Sequence, residues 1–328
     1  MDIFRTVTAL SPNPDKLTYN TPSLFMGSCF TENLGSKLTE LKFPLLVNPF
    51  GTTYNPASSG KNIFRLISGK PYEERELEYI NERWFSFDHH SRFSAPTSEM
   101  CLQQINSSFL AASEQLKQAR FLFLTFGTAW VYIKKSTNEI VNNCHKIPAA
   151  EFNRELLTVK QITDEYEALY HMLKAVNPEI ILVFTISPVR HLKDGAHGNQ
   201  ISKSTLLLAT EYLINQLKDT IYFPAYEILL DELRDYRFYD EDMVHPNSTA
   251  VKYITSQFFE VFLDQQTREL TGEVQKIITA THHRPFNKEA VSYKKFAKTH
   301  LEKIRKLESR FPEIQLQKEK DFFSEILQ

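Results

Sequence analysis

Four short apolar runs interrupt a chain whose remaining apolar positions mostly recur every three or four residues: Ser23 to Met26, Phe121 to Phe126, Ile180 to Ile186 and Thr220 to Phe223. Each is strand-length, rich in β-branched or aromatic residues and bounded by turn-forming residues, so each predicts a buried parallel strand. The segments Thr31 to Leu41, Ser98 to Ala119, Ile162 to Ala175 and Ser202 to Leu217 carry the helical spacing between them. Strands alternating with helices predict an α/β fold: a mostly parallel sheet covered on both faces, its crossovers right-handed. Ligands in such folds sit beyond the carboxyl ends of the strands, so motifs just after a strand weigh most.

Two regions break the alternation. Residues 57–92 hold no clear core strand and include the charged run Glu73-Glu74-Arg75-Glu76, which predicts a partly helical insertion, extending to about 115 with the helix that follows. From residue 266 to 328 the pattern becomes Lys-rich helix, with Lys294, Lys295, Lys298, Lys303, Arg305 and Lys306 around Phe296, Leu301, Ile304 and Leu307. That pattern predicts an amphipathic extension packed on a main domain of residues 1–265, its lysines solvated.

Composition narrows the class. With 42% hydrophobic and 24% charged residues over 328 positions, the chain has the balance of a protein that buries a real core. A formal net charge of -2 gives no global attraction to polyanions, so neither nucleic acid nor an anionic membrane is an expected partner. Met1-Asp2-Ile3-Phe4-Arg5 leads into no apolar run long enough for a signal core or a membrane span, and a cytoplasmic location is expected. Cys29, Cys101 and Cys144 are odd in number and widely spaced, which fits reduced thiols and no zinc knuckle.

The chemistry begins where the first strand runs into Gly27-Ser28-Cys29-Phe30. A serine in a strand-to-helix turn shows its hydroxyl at the sheet edge and faces the positive end of the next helix; equally, it serves as a plain helix cap. The balance shifts at Asp242-Met243-Val244-His245, after the last core strand. A serine hydroxyl needs a neutral imidazole to take its proton, and the imidazole needs a carboxylate on its other nitrogen. Asp-x-x-His supplies both from one loop, with Asp242 folding back to Nδ1 of His245 and Nε2 left for Ser28. Asn48-Pro49-Phe50-Gly51 could bring the Gly51 N–H beside the Ser28 N–H as oxyanion donors, and Gly127-Thr128-Ala129-Trp130 could offer Thr128 or a backbone group.

These motifs resemble the GSCFA domain family, within the wider SGNH-hydrolase superfamily. The likeness spans nearly the whole chain and includes Gly27-Ser28-Cys29-Phe30, Asn48-Pro49-Phe50-Gly51, Asp88-His89-His90-Ser91 and Gly127-Thr128-Ala129-Trp130. It continues through Asn143-Cys144-His145-Lys146, Ser187-Pro188-Val189-Arg190-His191 and Ser202-Lys203 to Asp242 and His245. The superfamily implies a three-layer α/β/α sandwich, flavodoxin-like, with Ser28 as nucleophile, Asp242 and His245 as its partners and Gly51 as an oxyanion donor. It also implies an asparagine two residues after Gly127, where this chain has Ala129; Thr128 or Asn143 would then substitute. Losing one such donor typically costs about two to three orders of magnitude in rate.

The expected activity is therefore that of a cofactor-free serine esterase or acyltransferase acting on a small-molecule or glycan ester, with His90, Trp130, His145, Lys146, Arg190 and His191 as candidates to bind it. Three rival readings compete: a binding or scaffold protein on a hydrolase fold, a metal site built from Asp88, His89, His90 and His145 or His191, and Cys29 as the nucleophile.

Overall fold

A computed structural model describes residues 6–328; Met1 to Arg5, where the search for an apolar leader began, lie outside the described residues. In chain order the strands are β1 (Ser23–Gly27), β2 (Leu45–Val47), β3 (Glu78–Ile80), β4 (Arg83–Phe85), β5 (Phe121–Phe126), β6 (Trp130–Lys134), β7 (Glu139–Val141), β8 (Phe152–Leu156), β9 (Ile181–Ile186) and β10 (Thr220–Phe223). The helices are α1 (Cys29–Glu40), α2 (Pro56–Ser68), α3 (Ser98–Gln118), α4 (Val159–Val176), α5 (Gly195–Gln216), a short α6 (Ala225–Glu227) that runs on as a π turn, α7 (Ser248–Phe262), α8 (Gln265–Thr281), α9 (Val291–Arg310) and α10 (Gln317–Glu325).

The central sheet runs β10-β9-β5-β1-β2, and all its neighbours are parallel. All four strands expected from the apolar runs lie in it. The fifth, β2, is a three-residue edge strand paired only with β1, too short to stand out as a pattern. Because successive side chains on a strand point to opposite faces, Phe25, Phe123, Ile181 and Val183 meet one helical layer. Leu24, Met26, Leu122, Leu124, Leu182 and Phe184 meet the other.

Helices α2 to α5 cover the second face, while α1, α7 and the helices that follow cover the first. The result is a three-layer α/β/α sandwich. Val274, Ile277, Ile304, Leu307 and Phe323 of the C-terminal helices share one continuous core with Leu34 and Leu38 of α1. Polar ties add to it: Lys37 donates to Gln275 at 2.6 Å, and Lys42 pairs with Glu319 at 2.7 Å.

Two smaller sheets stand outside the central one. The charged stretch after α2 forms a short turn, with Arg65 and Glu76 paired at 2.8 Å, and leads to the β3–β4 hairpin. After β5 an antiparallel sheet in the order β7-β6-β8 forms, and Trp130 opens its central strand. Numbering the five core strands by their order in the chain, the sheet reads 2-1-3-4-5. The chain therefore reverses its direction of travel between β1 and β5, the place where open α/β sheets bind ligands.

Candidate active site

Ser28 and Gly127 flank this reversal point, one just beyond β1 and the other just beyond β5. Gly27, at φ +146°, allows the close approach: a Cβ there would lie 2.4 Å from the Thr125 carbonyl oxygen. Asn48 accepts the Gly27 N–H at 2.8 Å and donates to Glu32 at 2.7 Å, bracing the turn from the β2 side. Ser28 is the N-cap of α1, so the helix starts at Cys29 and not at Thr31; its Oγ accepts the Phe30 N–H at 3.3 Å. The same hydroxyl donates to Ser187 Oγ at 3.0 Å, and Ser28 is 1% exposed.

Ser187 follows β9 and brings a third strand end to the site. Beneath it Lys203 of α5, fully buried, donates to the carbonyl oxygens of Gly127 at 2.7 Å and Ser187 at 2.6 Å. Burial pushes this ammonium down to about 7, against a smaller opposing pull from Cys29. Above the same floor His191 turns its Nε2 inward. That atom is buried without a hydrogen-bond partner, and a Cβ on Gly127 would sit 3.1 Å from it and 3.7 Å from Ser28 Cβ. Burial, with the Lys203 charge next, pushes the His191 ring down to about 4, so it is neutral at ordinary pH.

The Asp-x-x-His loop has the internal geometry expected of it. Asp242 Oδ2 lies 2.6 Å from His245 Nδ1, while Oδ1 accepts the backbone N–H groups of Val244 and His245, each at 2.9 Å. The His245 N–H, then its ring, hold the Asp242 carboxyl down to about 2. Met243 takes φ +56° to close the turn, and Asn247 caps α7 directly behind it. His245 stands exposed at the rim and, among the described residues, makes no hydrogen bond to Ser28. It lies near enough to His191 to lower that ring's proton affinity. Arg190, Leu192, Tyr239 and Met243 line a cavity of about 500 Å³ alongside this loop.

Gly51 and Thr128 present their N–H groups, and Thr128 its hydroxyl, to partners away from the Ser28 turn, while Asn143 is held through its Oδ1. The Gly51 N–H donates to Asn48 O at 2.8 Å, closing a turn, and His90 covers the glycine so closely that a Cβ would fall 2.1 Å from the histidine's own. Thr128 Oγ1 pairs with Ser202 Oγ at 3.0 Å and accepts the Trp130 N–H at 3.1 Å, and its own N–H, like that of Gly127, donates to Tyr54 O at 2.8 Å. Asn143 Oδ1 accepts the His145 N–H at 2.8 Å.

The substrate-binding candidates divide in the same way. His145 packs on Phe85 and hydrogen-bonds Ser86 O at 3.0 Å, and Lys146 is exposed next to it. Trp130 is stacked under Arg154, and His90 Nδ1 accepts the Arg92 N–H at 3.2 Å. Arg190 and His191 remain beside the Asp242–His245 loop.

The metal ligands considered from the sequence diverge. Asp88 pairs with Lys61 at 2.7 Å, and His89 is buried among Phe50, Tyr72 and Phe93. Among the described residues no three His, Cys, Asp or Glu side chains converge on one point. Cys29 is half-buried, and burial raises its thiol above the ordinary value, which disfavours the thiolate.

Ser187 and Lys203 are the site residues whose roles the motif reading missed. A signal existed for the lysine. Asn199, Lys203, Leu206, Ala209 and Leu213 share the inward spacing of α5, so the position lay on the buried stripe. The sequence model of the GSCFA family matches residues 22–258, and that of the GSCFA domain protein, C-terminal domain matches residues 274–328. No curated protein matches the chain.

Proposed function

The chain belongs to the GSCFA family, and from that premise we propose that it is a serine-dependent hydrolase or acyltransferase working on an ester through an acyl-enzyme. One observation carries the reading: the 2.6 Å contact between Asp242 and His245, on a loop beside the strand ends that hold Ser28, Gly127 and Ser187. In the reaction His245 Nε2 takes the Ser28 proton as Oγ attacks the acyl carbon. The carbonyl π pair moves to oxygen, then returns as the alcohol leaves with that proton. Water or a second hydroxyl repeats the sequence on the acyl-enzyme and frees Ser28.

Attack requires the Ser28 hydroxyl to swing its proton from Ser187 to His245 and the rim loop to close. Serine–imidazole contacts commonly tighten only once substrate fills the site. The 2-1-3-4-5 strand order, a serine after the first core strand and Asp-x-x-His after the last all support placement in the SGNH superfamily. The tyrosines, arginines and aspartates of the 500 Å³ cavity, Tyr236, Tyr239, Arg190, Arg234, Asp231 and Asp235, suit a polar acyl acceptor such as a sugar hydroxyl. Three free cysteines fit a reducing, cytoplasmic setting.

A second reading, a binding domain without turnover, is favoured by the buried Ser28 hydroxyl and its bond to Ser187. A fluorophosphonate probe separates the two. Covalent labelling that disappears in Ser28→Ala and His245→Ala supports the enzyme; an unlabelled, well-folded wild type establishes the binding domain.

A further inference from the structure

We infer that His191 is the side-chain donor that holds the oxyanion when Ser28 attacks, with its Nε2–H directed past Gly127 toward the Ser28 turn. The inference rests on Ser28 being the nucleophile. Its ground is local geometry. Among the described residues the buried Nε2 has no hydrogen-bond partner, a state that folded proteins generally avoid. Such an atom calls for a partner, which the oxygen of a bound substrate would supply.

The glycine is what lets the ring approach. A Cβ on Gly127 would stand 3.1 Å from both His191 Nε2 and the Tyr54 carbonyl oxygen and 3.7 Å from Ser28 Cβ, so Nε2 reaches the side of Gly127 that faces Ser28. A donor must also be held still. The His191 backbone N–H donates to Asn199 Oδ1 at 2.9 Å, and its ring stands edge-on to Tyr54. The N–H groups of Gly51 and Thr128 donate to Asn48 O and Tyr54 O, and the Thr128 hydroxyl pairs with Ser202 Oγ, as described above.

A histidine here could instead be the base, but the base needs a carboxylate to fix its tautomer and hold the imidazolium. His245 has one in Asp242, whereas no carboxylate hydrogen-bonds the His191 ring among the described residues. A ring neutral down to about pH 4 keeps a proton to donate without taking one from Ser28.

The test is the second-order rate of fluorophosphonate labelling of the full chain, with thermal melts run in parallel. His191→Ala should slow labelling about 100- to 1,000-fold. His191→Gln, which keeps a donor but has no basic nitrogen, should recover at least tenfold of that loss. Gly127→Ala should slow labelling comparably, because its methyl would crowd His191 Nε2 away from the Ser28 turn. Wild-type rates in His191→Ala or in Gly127→Ala, or a His191→Gln no faster than His191→Ala, would overturn the assignment while leaving Ser28 as nucleophile. A wild type that shows no Ser28-dependent labelling overturns the nucleophile itself, and this inference with it.

Discussion

Asp242 and His245 were readable as a pair because three residues of separation across a turn bring a carboxylate and an imidazole together whatever surrounds them. Asp242→Asn should keep the loop but lose the charge that fixes the His245 tautomer. Ser28-dependent labelling should fall by roughly three orders of magnitude or more, with little change in melting temperature. A rate within tenfold of wild type would remove Asp242 from the mechanism. Lys203 and the inward turn of His191 were not readable, because each role depends on which strand ends the sheet order brings together. Lys203 donates to two buried carbonyls from two different strands. Lys203→Met removes both donors at similar length and should cost about 2–4 kcal/mol, measured by urea unfolding. A stability within 0.5 kcal/mol of wild type, approximately the scatter of neutral surface substitutions, would show that the carbonyls find other partners.

Among elements, the sequence was most legible where a signal repeats over many residues. The strands β1, β5, β9 and β10 and the long helices α3 and α4 follow their apolar patterns closely. The β3–β4 hairpin and the β7-β6-β8 sheet did not declare themselves, since three- to five-residue strands leave too little alternation to separate from loop. Packing between helices adds information that no pattern holds. On α4 Glu165 faces Gly60 of α2, where a Cβ would lie 2.1 Å from its Oε1, and burial raises its carboxyl to about 7. A folded value raised above the unfolded one contributes stability below pH 4.5 that is lost as pH rises through 7. Glu165→Gln should therefore be more stable than wild type at pH 8, by about 3 kcal/mol, and nearly equal to it at pH 4.5. Equal denaturation midpoints at both pH values would show that the carboxyl is hydrated.

At the scale of the whole molecule, the layer on the α1 side is assembled from both ends of the chain. The Lys-rich pattern after residue 266 announced an amphipathic extension but not how far its apolar stripe merges with the sheet's own core. Ending the chain at Leu263 would remove Val274, Ile277, Ile304, Leu307 and Phe323 from the core they share with α1 and α7. Such a fragment should aggregate or melt without a cooperative transition in circular dichroism; a sharp, reversible melt would mark the C-terminal helices as dispensable. No helix among the described residues is long and apolar enough to cross a membrane. The shared core also imposes an order in time. Ser28 leaves the ribosome early, yet the helix that follows it is tied at Lys37 to Gln275, and the turn after it at Lys42 to Glu319, partners that leave late. Ser28 is thus made long before the layer that steadies its helix, and if Ser28 is the nucleophile proposed above, a nascent chain stalled ahead of α9 should not label with a fluorophosphonate.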